Sequence, residues 1–185
     1  MNKTLRNRIA AAAFAFFALS ANAFGGTLAI SPASKDVGVN DSFQLAVLGT
    51  GFVEDLIGGG FNLSFDPAIL RLDGVSIASI WEFAPSGGLT DNASGTLTDA
   101  SFNTFAAPKT GNFDVAVLSF TALGSGLSEI TLAGSPSFPF ADINANAVTP
   151  VFTGATVNVT AVPVPPGLAL FVSGLIPLLF RRNLA

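Results

Sequence analysis

The chain has 185 residues, half of them hydrophobic, with eight Lys and Arg against twelve Asp and Glu for a net charge of −4, and it contains no Cys, His or Tyr. Without imidazole, thiol or phenol there can be no Ser-His-Asp arrangement, no thiol nucleophile and no zinc or copper site built from the usual N and S ligands. The absence of cysteine also means that stability comes from a packed core or from bound ions, not from cross-links.

Residues 1–23 read as a secretory signal peptide. Lys3, Arg6 and Arg8 make a basic start, Ile9 to Leu19 an apolar run, and Ala21-Asn22-Ala23 puts Ala21 and Ala23 at the small-residue positions of a cleavage site, so the mature chain begins at Phe24. The two ends distort the bulk composition, because five of the eight cations lie in residues 1–23 and 162–185. Between Phe24 and Ala161, three cations (Lys35, Arg71, Lys109) face all twelve carboxylates, a net −9. A domain of that charge repels nucleic acid and anionic lipid.

Residues 24–161 suffice for one domain, in which roughly two-thirds of the unfolded surface is buried. Its hydrophobic pattern has period two. Leu28 to Ser31 opens the series, followed by Phe43, Leu45 and Val47, then Phe61, Leu63 and Phe65. Leu70 to Ala78, Gly95 to Asn103, Ala116 to Ala122, Ile130 with Leu132 and Val157 with Val159 continue it. Turn-forming clusters separate them at 38–41, 58–60, 86–88, 124–126 and 135–136. Asp66-Pro67 predicts a single helical turn that delivers Leu70 to the core. Eight or nine short strands so punctuated predict a β-sandwich. Core packing is the first expectation for Trp81, Phe83 and Phe105, with an exposed sugar-stacking platform as the alternative.

Metal and catalytic chemistry have few candidates. Asp142, Asn144 and Asn146 place hard oxygens at alternate positions, as the first half of a calcium loop would. Ala147 and Thr153, however, stand where such a loop needs a glycine and a bidentate glutamate, which favours an Asx-rich turn. No other cofactor is expected. Twelve carboxylates keep two-carboxylate glycoside hydrolysis chemically open as a remote alternative. No spacing assembles a catalytic constellation, and the chain reads as a non-enzyme.

Residues 162–185 form a tripartite tail: Val162-Pro163-Val164-Pro165-Pro166, an apolar run of 14 residues from Gly167 to Phe180, and Arg181-Arg182. As a helix that run spans about 21 Å against about 30 Å of bilayer hydrocarbon, a short transmembrane segment. The arginines stay on the cytoplasmic side and the domain outside. The tail resembles the PEP-CTERM class of sorting signals, and within it the VPLPA type, through Val162, Pro163 and Pro165 in the box and Arg181 and Arg182 in the cluster. It departs from the class in lacking the acidic residue of the commonest box and in carrying Asn183-Leu184-Ala185 after the arginines. The resemblance implies transient anchoring in the inner membrane and removal of the tail by an exosortase-like membrane protease; a permanent tail anchor is the alternative.

Four segments of the central domain resemble the cohesin-type jelly rolls, whose fold is shared with some carbohydrate-binding modules. They are Val37 to Phe43, Gly59 to Leu70, Val117 to Ala122 and Asp142 to Val159, within a span from about Gly26 to Thr160. The resemblance implies a jelly-roll β-sandwich of about nine strands, and the two ends add an N-terminal signal helix and a C-terminal transmembrane helix as its flanks. It also implies a partner-binding sheet face on which Asn62 and Ser64 point outward. The expectation is a secreted or cell-surface, non-catalytic protein that binds polysaccharide or a surface protein.

Overall fold

The computed structural model describes residues 25–161. The predicted signal peptide with its cleavage site, and the tail from Val162 onward, lie outside the described residues. Within them the all-β expectation holds, and there is no helix. The strands are β1 (Thr27–Ser31), β2 (Ser34–Gly38), β3 (Ser42–Ser64), β4 (Leu70–Ile77), β5 (Leu89–Asp91), β6 (Thr96–Asn103), β7 (Lys109–Ala122), β8 (Gly126–Gly134), β9 (Ala141–Asp142), β10 (Val151–Thr153) and β11 (Ala155–Thr160).

β3 is the spine of the fold. Its first part lies antiparallel between β1 and β7, and its last part, from Gly58, antiparallel between β6 and β8. The strand therefore passes from one layer of the sandwich into the other. One layer runs β4–β7–β3–β1–β10 and the second β5–β6–β3–β8–β11–β2, with parallel pairing only for β1 with β10 and β2 with β11.

Period-two burial fills the space between the layers. Phe43, Leu45 and Val47 of β3 are buried beside Leu118 and Phe120 of β7, while Phe61 and Leu63 are buried beside Leu97 of β6 and Leu132 of β8. Phe65 meets Phe120 edge-on at 5.5 Å. Toward the other end an aromatic chain runs Phe52, Phe113, Trp81, Phe102, Phe140, Phe152, with centroid steps of 5.0, 5.3, 4.6, 5.6 and 5.9 Å. Trp81, only 1% exposed, donates its indole N–H to the Asp114 carbonyl at 2.8 Å, so its one polar atom is satisfied.

Two expectations need correction. The strands number eleven because β2, β5, β9 and β10 are short segments whose side chains do not alternate apolar with polar, so backbone pairing alone defines them. Gly58-Gly59-Gly60 is not a turn but the interior of β3. A Cβ on Gly58 would meet the Phe102 carbonyl oxygen at 2.5 Å, one on Gly59 the Phe140 ring at 2.6 Å, and one on Gly60 the Phe138 Cβ at 2.7 Å. The glycines are there for close approach, at the place where β3 enters the second layer. The Asp66 turn forms as expected. Its carboxylate accepts from the Ala68 N–H at 2.9 Å and its carbonyl from the Leu70 N–H at 2.9 Å, which leaves Leu70 fully buried.

The two ends of the sandwich differ. β11 finishes beside the 38–41 turn, where the Thr160 carbonyl accepts from the Val39 N–H at 3.0 Å. Antiparallel register puts the 51–57 bend of β3, the 104–108 loop and the start of β1 at the opposite end.

Candidate functional site

The outer face of the second layer spans six strands. Its strands turn small and hydroxylic residues outward: Thr96 and Thr98 from β6, Asn62 and Ser64 from β3, Thr131 and Ala133 from β8, Thr156 and Asn158 from β11. Leu89, 73% exposed, lies at its β5 edge, and Leu127, 65% exposed, lies at the start of β8 opposite Asn158. Asp36, Asp91 and Glu129 give it negative charge, and no described cation lies on it. Lys35 pairs opposite the inward Val157, while Arg71 and Lys109 belong to β4 and β7 of the other layer.

The two residues that sequence reasoning assigned to this face are on it, with unequal freedom. The Ser64 hydroxyl meets that of Thr131 across the β3–β8 pair and remains exposed. Asn62 is half-buried, and its side-chain oxygen accepts from the Asp99 N–H at 2.8 Å. Asp99 has φ +58° at the register shift of β6 against β3, and Asn62 satisfies the backbone group that the shift releases. The Asp99 carboxylate in turn accepts from Ser135 at 2.6 Å and Ser137 at 3.2 Å. This clamps the loop that sets Phe138 over Gly60. Asp99 and Phe138 were invisible to spacing, since their partners are some 35 or more residues away in sequence.

The first layer's outer face is different in chemistry. Partial burial pushes the Asp73 carboxyl up, but the Thr121 hydroxyl at 2.6 Å, with the hydrogen bond and charge of Arg71 at 2.6 Å, outweighs that and holds it below its ordinary value. A shallow depression of about 290 Å³ beside it is lined by Ser42, Gln44, Asp73 and Ser119. Another, about 330 Å³, lies between β3 and β7 at Leu48, Thr50, Asn112, Phe113 and Asp114. Each contains a single carboxylate, so neither supplies the pair that glycoside hydrolysis needs.

The Asp142 loop closes on itself. Asp142, 9% exposed, accepts from the Asn144 N–H at 2.8 Å, the Asn146 N–H at 2.8 Å and the Asn146 side-chain amide at 2.9 Å. The Asn146 side chain and backbone bonds lead in holding its pKa below the ordinary carboxylate value. Asn144 and Asn146 thus serve the carboxylate as donors, the arrangement of an Asx turn. Among the described residues no three His, Cys, Asp or Glu side chains are grouped for a metal.

Of the three aromatics singled out from sequence, only Trp81 is in the core. Phe83 and Phe105 are 47% and 70% exposed and lean on each other with centroids 4.2 Å apart. Core packing fails for them because the two backbone segments are tied at the rim. Glu82 Oε1 accepts from the Thr104 hydroxyl at 2.8 Å and from the N–H groups of Phe105 at 2.9 Å and Ala106 at 3.0 Å. Those bonds, led by the Ala106 N–H and joined by the N–H of Glu82 itself, hold the Glu82 carboxyl down at about 2. Glu82 joins residues 22–24 positions apart and has no local sequence signature.

The sequence matches no protein-family model and no curated protein. Solved structures that resemble it include cohesin domains. The sixth cohesin of scaffoldin B from Acetivibrio cellulolyticus, solved in complex with a Cel5 dockerin mutant, is 18% identical with a TM-score of 0.61, over 74% of this chain and 99% of that one. The seventh ScaB type I cohesin of Pseudobacteroides cellulosolvens is 15% identical with a TM-score of 0.62, over 75% and 94%. A non-cellulosomal cohesin from the archaeon Archaeoglobus fulgidus is 14% identical with a TM-score of 0.58, over 78% and 95%. This chain has the cohesin fold. At such identities the likeness is one of architecture, the jelly-roll sandwich described above.

Proposed function

We propose that the chain is an exported, non-catalytic binding module of the cell surface or extracellular matrix that engages a protein partner through the outer face of the second layer. The observation that carries this reading is that face: open, hydroxyl-rich, acidic and free of described cations, on a fold whose solved neighbours include cohesins in complex with dockerins. Residues 1–23 direct export, 24–161 bind, and 162–185 sort the protein through an exosortase-like protease, Val162, Pro163 and Pro165 marking the box and Arg181 and Arg182 stopping the segment at the cytoplasmic side. The end of β11 lies beside the 38–41 turn, at the end of the sandwich away from the 104–108 loop. Ser64, and the outward amide of Asn62, belong to the proposed contact surface.

Arginine substitution tests the face. Ala133→Arg adds a long cation at its centre, and Gln44→Arg makes the same change on the outer face of the first layer. Partner capture from cell-surface extracts should fall at least tenfold for Ala133→Arg and persist for Gln44→Arg, as expected when a bulky charge must be buried in a contact. Loss with Gln44→Arg alone would transfer the binding surface to the other layer.

A further inference from the structure

We propose that Phe83 and Phe105 form a stacking subsite for a pyranose ring of a neutral polysaccharide. Their rings are inclined at 49° with centroids 4.2 Å apart, the one pair of mutually contacting aromatics among the described residues in which both rings are exposed, while Phe52, Phe113, Trp81 and Phe102 pack in a chain toward the core. Each stands close to a buried anchor: Trp81 lies two residues before Phe83, and Phe102 three before Phe105. The Phe83 N–H donates to the Asn103 carbonyl at 3.0 Å, and Glu82 ties the 104–106 segment with three hydrogen bonds. The pair is therefore assembled before any ligand arrives, which lowers the ordering cost of binding.

The surroundings select the ligand. Aromatic faces offer a surface for the C–H face of a sugar. Glu82 places an ionised carboxylate between the two segments, with Oε1 saturated and Oε2 left to accept a ligand hydroxyl. Among the described residues the one cation at this end of the sandwich is Lys109, opposite Leu56, against Glu54, Asp55, Glu82, Asp114 and Asp142. Uronate polymers and phosphate-bearing ligands are repelled by that balance, while an uncharged glycan is not. The subsite lies at the end away from Ala161, so a chain tethered through its tail presents it outward. It shares with the preceding reading the export of the chain and its tethering through the tail, and is separate from the sheet face.

Affinity electrophoresis tests it. The full chain, held in a non-glycosidic non-ionic detergent, is run in native gels containing hydroxyethylcellulose, galactomannan or alginate. Retardation is expected in a neutral gel and not in alginate. Phe83→Ala and Phe105→Ala should each weaken it about tenfold, the loss of one stacked ring. Phe83→Leu and Phe105→Leu, which keep apolar bulk without the ring, should weaken it too, with unchanged melting temperatures. Ala133→Arg should leave it intact, so failure of the sheet-face reading does not touch this one. No retardation in any neutral gel, retardation in alginate alone, or retardation indifferent to the Phe variants would overturn the proposal. So would a drop in self-association of the Phe variants by sedimentation without any glycan effect, which would make the pair a contact between copies.

Discussion

Alanine placed at Gly58, Gly59, Gly60 and Gly74 should give an ordered series of stabilities, because each added Cβ meets a different obstacle. At Gly58 the obstacle is the Asn103 side-chain oxygen together with main chain that cannot pivot away: the Phe102 carbonyl oxygen at 2.5 Å and the Asn103 Cα at 3.0 Å, against ordinary carbon contacts of about 3.5–4 Å. Relief requires β3 and β6 to separate where Gly58 pairs with Asn103 and Gly59 with Phe102, at a cost of about 3 kcal/mol or more. Gly60 faces the Ala100 carbonyl oxygen at 2.8 Å and should cost nearly as much. At Gly59 the obstacle is the Phe140 ring at 2.6–2.8 Å, a side chain that can pivot but is held between Phe102 and Phe152. There a cost of about 1–3 kcal/mol is expected. Gly74 has nothing within 4 Å, so Gly74→Ala should be neutral or stabilise by about 0.5–1 kcal/mol. Urea denaturation followed by the emission of Trp81, the single and buried tryptophan, reads all four at once. A Gly58→Ala variant within about 0.5 kcal/mol of the parent, or a Gly74→Ala variant as unstable as the others, would refute the close-approach explanation.

Trp81→Phe should lower stability by about 1–3 kcal/mol in the same assay, read by circular dichroism, since it leaves the Asp114 carbonyl without its donor and a void beside Phe113. The Glu82 carboxyl lies lower in the folded chain than its ordinary 4.5, so its tie to the 104–106 loop is complete above pH 4.5 and is lost as pH falls toward about 2. Amide resonances of Phe105 and Ala106 should follow that titration, and Glu82→Gln should abolish it. Asp142→Ala should lower the melting temperature by a few degrees, whereas exchanging calcium for chelator should leave it unchanged, the carboxylate oxygens being already engaged by Asn144 and Asn146. Intact mass of the surface form should show a chain starting at Phe24 and cut near the Val162-Pro163 box; a product extending through Ala185 would replace sorting by permanent anchoring.

Strands with one buried face were legible because burial enforces period two: Phe43, Leu45 and Val47, or Phe61 and Leu63, cannot shift by one residue without exposing themselves. β2 and β5 were not, since Ser34 to Gly38 and Leu89 to Asp91 are held by backbone pairing to β11 and β6 and need no particular side chains. The glycine triplet misled because the same residue serves a turn and a tight contact, and only the position of Phe140 and of the β6 main chain distinguishes the two. At the site, Ser64 could be assigned by alternation alone. Asn62 proved half structural, tied to a register shift that no local pattern announces. Phe83 and Phe105 were recognised as candidates yet expected inside; what keeps them out is Glu82, whose reach is long-range.

Site-specific photo-crosslinking in producing cells tests the binding face most directly. With a benzophenone side chain at Thr131, at the centre of the second layer's outer face, a discrete crosslinked protein is expected, and none with the same probe at Gln44. A crosslinked product from Gln44 with none from Thr131 would contradict the account and move the partner to the opposite layer.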